Sequence, residues 1–287
     1  MKCFQRLFLV CLLSVIAPAQ QPQSAQSANS GQWTYDTADS GRPMLELVRA
    51  LRDQFGWQLN IEDSPVDGMP LKPNGTHGDK RPMAPRMHFA LPMAQIASLA
   101  SNNHVERHAL VRNLLDQHKG QSKAGDQSFT SRLLGSQIEI RPDVPMSPGE
   151  FATKNPHFSP LEAVVVIKPA ASYSNLNDVI QDIVAQVART KNVGVVVGNL
   201  PLNIVLNNRL RFDVPFGTTA GGALGLVFAE FGGPSHYPFR PYWELIWDAG
   251  LNSYVFNIGV VQDRSSALPA NTPTAPQTTP TPSIVAK

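Results

Sequence analysis

The order of apolar patterns along this chain occurs twice, and this repetition constrains the fold more than any other feature. Each half contains an alternating segment, a segment of helical period, two more alternating segments, a second helical segment and a hairpin pattern. A stretch with five prolines, 142–160, separates the halves. Repetition of this length indicates a duplicated unit. We therefore predict an α+β fold of two tandem small units, each strand-helix-strand-strand-helix-hairpin, with helices packed on short mixed sheets.

The first unit is predicted over residues 32–141. Pro43 favours a helix start because its missing N–H needs no partner there, and Gly56 ends the helical stripe. Asn103, followed by Glu106, is typical of a capping box. The predicted elements are a strand at 33–35, a helix at 43–55, strands at 57–61 and 87–89, a helix from Asn103 to about His118, and a hairpin of 129–133 with 137–140.

The second unit is predicted over residues 161–262. Asn175 is the expected cap of its first helix, and Gly232-Gly233 is the expected end of its second. The predicted elements are a strand at 164–167, a helix at 176–187, strands at 195–197 and 210–214, a helix at 219–231, and a hairpin of 242–247 with 253–261 through a turn at 248–250.

The first nineteen residues have the features of a secretory signal peptide. Lys2 and Arg6 precede a continuous apolar run, 7–16, and small residues at 17–19 favour cleavage before Gln20. Lipidation of Cys11 is disfavoured because bulky residues precede it. No later segment has the length of a membrane span, so we predict a periplasmic or secreted protein. The remaining irregular segments are a disordered leader at 20–31, a loop at 63–85, the Pro-rich linker at 142–160 and a disordered Pro/Thr-rich tail at 263–287.

Two segments carry a resemblance to a known family. One is Arg42–Leu51 followed by Phe55–Ile61, a Pro-initiated helix that ends in Gly before a strand; the other is Leu210–Leu224, a strand pattern, a small turn and a Thr-initiated helix with an Ala-Leu pair. They resemble the short N-terminal domain of secretins and TonB-dependent receptors, here duplicated, over roughly two-thirds of the mature chain. The resemblance implies a periplasmic, non-enzymatic domain that contacts other proteins. No barrel-forming or secretin segment follows, so transport across an outer membrane is not implied.

Charge and cysteine content exclude several function classes. Lys2 and Arg6 account for the formal charge of +2, so the chain beyond the predicted signal peptide is neutral, which disfavours a nucleic-acid or anionic-membrane binder. Cys3 and Cys11 are the only cysteines, and both lie in the predicted signal peptide. Disulfides, thiol catalysis and zinc–cysteine sites are therefore not expected in the mature chain.

We find no spacing that indicates catalysis or a cofactor. Ser235-His236 is adjacent in sequence, which does not make a triad, and no phosphate-loop pattern accompanies the glycines at 221–225. His104 and His108 are spaced to share a metal on a helix, but no third ligand is placed by spacing. The acids of the predicted loops lack the spacing of a calcium site; they are Asp36, Asp39, Glu62, Asp63 and Asp67. We expect no metal, no cofactor and no enzyme activity.

The aromatic hairpin allows two interpretations. Alternation puts Trp243 and Trp247 on one side of a strand, where, with Tyr242 and Tyr254, they form either core packing or a sugar-binding face. Core or inter-repeat packing is favoured.

The helix predicted at 219–231 is apolar on nearly all sides. Its stripe of Leu224, Val227, Phe228 and Phe231 is expected to face its own sheet, and small residues lie beside that stripe. We predict that its outer side is covered by the first unit or by a partner chain. The candidate interface residues are Gly221, Gly225, Leu226 and Ala229.

These observations favour an exported, non-enzymatic protein-interaction module of the cell envelope. Its partner is expected to be an envelope or secreted protein, with homo-oligomerisation as an option. Two alternatives stay open: a ligand- or glycan-binding protein that uses the aromatic hairpin 242–258, and an enzyme with an unrecognised site.

Overall fold

The computed structural model describes residues 31–37, 42–63, 86–99, 103–122, 128–143, 159–201, 210–231, 239–248 and 250–262. Within them the protein has an α+β fold. The predicted signal peptide and tail lie outside the described residues, as do residues 20–30, 64–85 and 144–158 of the predicted leader, loop and linker, and the glycine pair at 232–233.

Eight strands and five α-helices are described, with two short 3₁₀ turns at Pro160–Glu162 and Ala170–Ser172. In chain order they are β1 (Gln32–Asp36), α1 (Pro43–Phe55), β2 (Leu59–Asp63), β3 (His88–Pro92), α2 (Met93–Ser98), α3 (His104–Gln121), β4 (Phe129–Leu134), β5 (Gln137–Pro142), α4 (Leu176–Lys191), β6 (Val195–Val197), α5 (Ala220–Phe231), β7 (Phe239–Asp248) and β8 (Ser253–Gln262).

Six strands form one mixed sheet in the order β4-β5-β2-β7-β8-β6. β2 runs parallel to both β5 and β7, β6 runs parallel to β8, and the two hairpins are antiparallel. β1 and β3 form a separate antiparallel pair. The two halves of the chain therefore share one sheet, which is joined through β2 and β7.

The same pairing scheme occurs in both halves. In the first half, β2 pairs with the second strand of the hairpin β4–β5, and Leu59 lies opposite Ile138. In the second half, β6 pairs with the second strand of the hairpin β7–β8, and Val195 lies opposite Tyr254. The order 4-5-2 is thus repeated as 7-8-6.

The helices of the two halves cover opposite faces of the shared sheet. Ile61 lies opposite Glu244 and Glu62 opposite Leu245, so Ile61 and Leu245 point to different faces. Ile61 belongs to the core formed with α1 and α3, whereas Leu245 belongs to the core formed with α4 and α5. Each half packs its own helices on its own side of the sheet.

Local signals placed most element boundaries correctly. The side chain of Asn103 accepts the Glu106 N–H at 3.1 Å, and the side chain of Asn175 accepts the Asp178 N–H at the same distance. Gly56 ends α1 in the left-handed conformation, with a φ of 65°. These residues confirm the predicted caps.

Two strands predicted in the second half were wrong. Residues 164–167 and 210–214 form no ladder; one isolated bridge joins Val164 to Thr219. Gln186 provides backbone partners for the first segment, because its side chain donates to the Val166 carbonyl and accepts the Val166 N–H. The second segment keeps a strand-like alternation, since Leu210, Phe212 and Val214 pack on the core. The short helix α2 was not predicted.

Candidate functional site

The junction between β2 and β7 concentrates the buried charges of the described residues. The sequence predicted an alternating strand at 57–61, and it assigned Glu62 and Asp63 to a loop. Instead, all five residues of β2 are buried. The reason is that each face of this strand is covered: α1 lies on one side and the second half of the chain on the other.

On the α1 face, Glu244 of β7 binds two arginines of α1. Arg49 donates to it from Nε at 3.1 Å and from Nη2 at 2.6 Å, and Arg52 donates from Nη1. Arg52 also donates to the Leu59 carbonyl at 2.9 and 2.7 Å and stacks over the Tyr242 ring at 3.7 Å. We call these residues, Arg49, Arg52, Tyr242 and Glu244, the Glu244 cluster.

The charges of the Glu244 cluster are mutually stabilised. Burial raises the pKa of Glu244, but the hydrogen bonds and charges of Arg49 and Arg52 outweigh it and hold this pKa below its ordinary value. Burial lowers the pKa of Arg52, and the charge of Glu244 opposes that change. Arg42 continues the polar contacts along the junction of β2 and β7, since it binds Asp63 of β2 at 2.6 Å and donates to the Trp247 carbonyl of β7.

On the opposite face, Glu62 and Glu139 lie side by side with Arg141. Arg141 contacts Glu139 at 2.5 Å and Glu62 at 3.9 Å, and Arg132 binds the other oxygen of Glu139. Ser159 donates to Glu62 at 2.8 Å. We call these five residues the Glu62 cluster.

Glu62 is an acid of this junction whose pKa is strongly raised. The pKa of Glu62 is raised to about 7, because burial raises it by more than the charge of Arg141 and the hydrogen bond from Ser159 lower it. The neighbouring charges of Glu139 and Glu162 also contribute to the rise. This carboxyl group therefore changes its charge near neutral pH.

The N-terminal half of α5 packs on the Glu62 cluster. A Cβ added at Gly221 would lie 1.9 Å from Nη2 of Arg141, and one added at Gly225 would lie 3.2 Å from Cδ1 of Leu134. The Gln137 side chain reaches the Gly225 carbonyl at 3.4 Å. The structure therefore places the glycine side of α5 against the hairpin β4–β5 of the first half.

The other two candidate interface residues are placed differently. Ala229 is half-buried. Leu226 is 41% exposed, so the predicted cover over it is not provided by the described part of this chain. The first half reaches the glycine side of the helix, and cover of Leu226 by a partner chain stays a prediction.

The aromatic hairpin is part of the core. Trp243 and Tyr254 are fully buried, and Trp247 is 2% exposed. Tyr242 lies under Arg52. Trp243, Trp247 and Tyr254 thus belong to the core and do not form a sugar-binding face.

The remaining candidate residues do not converge. Nε2 of His108 lies 3.0 Å from Oγ of Ser131, and Asp36 pairs with the exposed His88 at 2.7 Å. His104 lies one turn before His108, but among the described residues no group of three metal-ligating side chains occurs. Asp39, Asp67 and the pair Ser235-His236 lie outside the described residues.

Exposed apolar side chains mark a different region. Val164 and Val166 are 53% and 55% exposed, and Phe216 is 89% exposed. The segments that carry them adjoin, because Val164 bridges to Thr219 and the Thr218 carbonyl accepts the Val165 N–H at 3.0 Å. We call Val164, Val166 and Phe216 the apolar ribbon.

The chain matches no family model, no curated protein and no solved structure. Within the part of the chain that the structure describes, no helix is both long enough and apolar enough to cross a membrane.

Sequence reasoning missed the two buried charge clusters. Glu62, Glu139 and Glu244 each stand at a polar position of an alternating strand, which normally indicates a solvent-facing side chain. One signal was available: the first helix carries two arginines one turn apart, Arg49 and Arg52, and an arginine pair of this kind is well suited to bind a buried carboxylate.

Proposed function

We propose that this chain is an exported, non-enzymatic protein-interaction module of the cell envelope, periplasmic or secreted. Export is supported by the signal-peptide pattern of residues 1–19. A non-enzymatic role is supported by the way the buried charges are used, since the Glu244 and Glu62 clusters join the two halves of one sheet.

The observation that carries the proposal is the apolar ribbon. A phenylalanine that is 89% exposed, on a segment that adjoins the one with two half-exposed valines, leaves apolar area in water, and exposed apolar area of this kind is typical of surfaces that bind proteins. Aromatic side chains contribute strongly to interface energy when a partner buries them. The partner is therefore expected to be an envelope or secreted protein with a complementary apolar surface.

Site-specific photo-crosslinking tests this proposal in cells. A photoreactive phenylalanine analogue is placed at Phe216 and, as the control, at Leu251, which is 58% exposed on the turn between β7 and β8. We expect one protein to be crosslinked from position 216 and not from 251. The purified partner should then bind the wild type and lose at least tenfold in affinity with Phe216→Ser, but not with Leu251→Ser. Equal binding by both variants would contradict a role for the apolar ribbon.

A further inference from the structure

The two strands of the internal contact, β2 and β7, each have a corresponding strand at one end of the sheet. β6 corresponds to β2, because each runs parallel to the second strand of its own hairpin. β4 corresponds to β7, because each is the first strand of its hairpin. Among the described strands, β4 and β6 are the outermost members of the sheet. The two strands that could make a second contact of the β2–β7 kind therefore lie at the two ends of the described sheet.

The backbone of β6 presents hydrogen-bonding groups to a further strand. The Gly194 carbonyl accepts the Tyr254 N–H at 2.9 Å, and the Gly198 N–H donates to the Phe256 carbonyl at 2.8 Å. In a parallel ladder, alternate residues bond to one neighbour, so the intervening N–H and C=O groups, among them those of Val197, point away from β8.

The same alternation operates at the internal junction. The Gln58 carbonyl accepts the Ile138 N–H at 3.3 Å, which directs alternate residues of β2 to β5 and the intervening Ile61 to β7. Ile61 and Val197 correspond, since each is the third residue of its strand and lies opposite the equivalent hairpin position, Ile140 or Phe256.

The backbone groups on the outer edge of β4 alternate in the same way as those of β7 that face β2. The Ser128 carbonyl accepts the Asp143 N–H at 2.8 Å, which fixes the antiparallel ladder so that the backbone groups of Phe129, Ser131 and Leu133 point away from β5. These positions correspond to residues 243, 245 and 247 of β7, because Leu133 pairs with Ile138 as Trp247 pairs with Tyr254.

Strand direction is also compatible. β2, β5 and β7 run in one direction, and β4 is antiparallel to β5. β8 is antiparallel to β7, and β6 is parallel to β8. β4 and β6 therefore run the same way. A second copy moved along the sheet without being turned over would place its β4 parallel to β6 of the first, as β7 lies parallel to β2.

We infer that the protein associates with further copies of itself, head to tail, through parallel pairing of the outer edge of β6 with the outer edge of β4 in the next copy. At the internal junction, Ile61 lies opposite Glu244. Val197 corresponds to Ile61 and Thr130 corresponds to Glu244, so the same register places Val197 opposite Thr130 of the next copy. Because the two surfaces differ, the contact is heterologous, and each added copy leaves one edge of each kind free.

The association is weaker than the internal junction. Thr130 stands at the position that corresponds to Glu244, so the buried ion pair of the internal junction is not reproduced there. Arg132 brings a charge to the edge strand, which commonly opposes strand addition, but here Glu139 binds it. Assembly therefore requires a high protein concentration.

Sedimentation velocity over a range of concentrations tests the inference. We expect the mass of the mature protein to rise beyond two subunits without a plateau. Val197→Pro and Ser131→Pro each remove an outward N–H from one edge, so each variant alone should stay monomeric. An equimolar mixture of the two should form dimers, because each variant keeps the edge that the other lacks. A wild type that is monomeric at every concentration, or that stops at a closed dimer, would overturn the inference.

Disulfide trapping keeps the test decisive if a proline variant does not fold. In a background with Cys3→Ser and Cys11→Ser, a protein with Val197→Cys is mixed with one with Thr130→Cys under mild oxidation. We expect a crosslinked dimer of unlike copies in this mixture. Val197→Cys mixed with Thr190→Cys, an exposed position on α4, should give none. Equal crosslinking in the two mixtures would contradict the proposed register.

Discussion

Arg52 and Glu244 form a buried ion pair across 192 residues of sequence, and it joins the helix of one half of the chain to a strand of the other. Their side chains are 1% and 5% exposed. A buried charge is stable only while its partner is present, because its hydration is already lost. The pair therefore makes the folding of the two halves interdependent.

Removal of one partner should destabilise the whole protein. We expect Glu244→Leu to lower the free energy of unfolding by about 3–5 kcal/mol, because it leaves Arg52 buried without a counter-charge. Asp116→Asn, which neutralises an exposed carboxylate of α3, should change it by less than about 0.5 kcal/mol. Urea unfolding at pH 7 provides both values.

The double variant separates the loss of the pair from the cost of an uncompensated charge. Arg52→Met with Glu244→Leu should recover part of the stability that Glu244→Leu alone loses, because neither charge then remains buried at this contact. Additive losses in the double-mutant cycle would show that the two side chains act independently.

Glu62 should make the protein less stable as the pH rises. Its pKa is raised from 4.5 to about 7 in the folded protein, so the folded state holds a proton that the unfolded state releases. This contribution is fully present below about pH 4.5, is lost as the pH rises through 7, and amounts to on the order of 3 kcal/mol. Arg141, Arg132, Glu139 and Ser159 are the groups that face Glu62, together with the more distant charge of Glu162.

The measurement compares urea midpoints of the wild type and Glu62→Gln at pH 5 and pH 8. Because the glutamine does not ionise, the variant should lose less stability between these pH values than the wild type does. The other titrating groups are present in both proteins, so the difference between the two profiles reports Glu62. Parallel profiles would show that Glu62 does not titrate in this range.

Substitution of Gly221 by alanine should destabilise the protein, although alanine favours helices. A Cβ at this position would displace Arg141 from Glu139, and we expect Gly221→Ala to cost about 1–3 kcal/mol. Gly120 of α3 is the matched control, since a Cβ there meets nothing within 4 Å. Gly120→Ala should stabilise the protein by up to about 1 kcal/mol. Thermal unfolding of both variants tests whether α5 packs as tightly on the first half as this geometry requires.

Elements with a complete local signal were predictable from the sequence. α1, α3 and α4 each have a cap or a Pro start together with an apolar stripe, and both hairpins have alternating arms around a turn. The segments at 164–167 and 210–214 have the same apolar alternation but form no ladder. Alternation indicates which side chains turn inward, but a strand also needs a neighbour for its backbone, and the sequence does not state where that neighbour lies.

The candidate site was predictable only in part, for a related physical reason. The glycines of α5 indicated a close approach, and the structure places that approach at the hairpin β4–β5. Glu62 and Glu244 were not predicted as buried, because their burial depends on strands that are distant in sequence and adjacent in the sheet. A polar residue in an alternating strand has the same pattern whether the covering layer is water or another part of the chain.

Two glutamines with the same geometry should differ in their contribution to stability. Gln117 accepts the Ala90 N–H at 2.9 Å and donates to the Ala90 carbonyl at 2.8 Å. These bonds give partners to the backbone groups of β3 that point away from β1. Gln186 makes the same pair of bonds to Val166, at 2.8 and 2.9 Å. Ala90 is half-buried, whereas Val166 is exposed and water can replace its lost partner. We therefore expect Gln117→Ala to lower the free energy of unfolding by about 1–2 kcal/mol and Gln186→Ala by less than about 1 kcal/mol.

Amide hydrogen exchange should accelerate at Ala90 in the first variant by more than at Val166 in the second. Equal losses in the free energy of unfolding from the two substitutions would show that burial of the β3 backbone does not determine the loss.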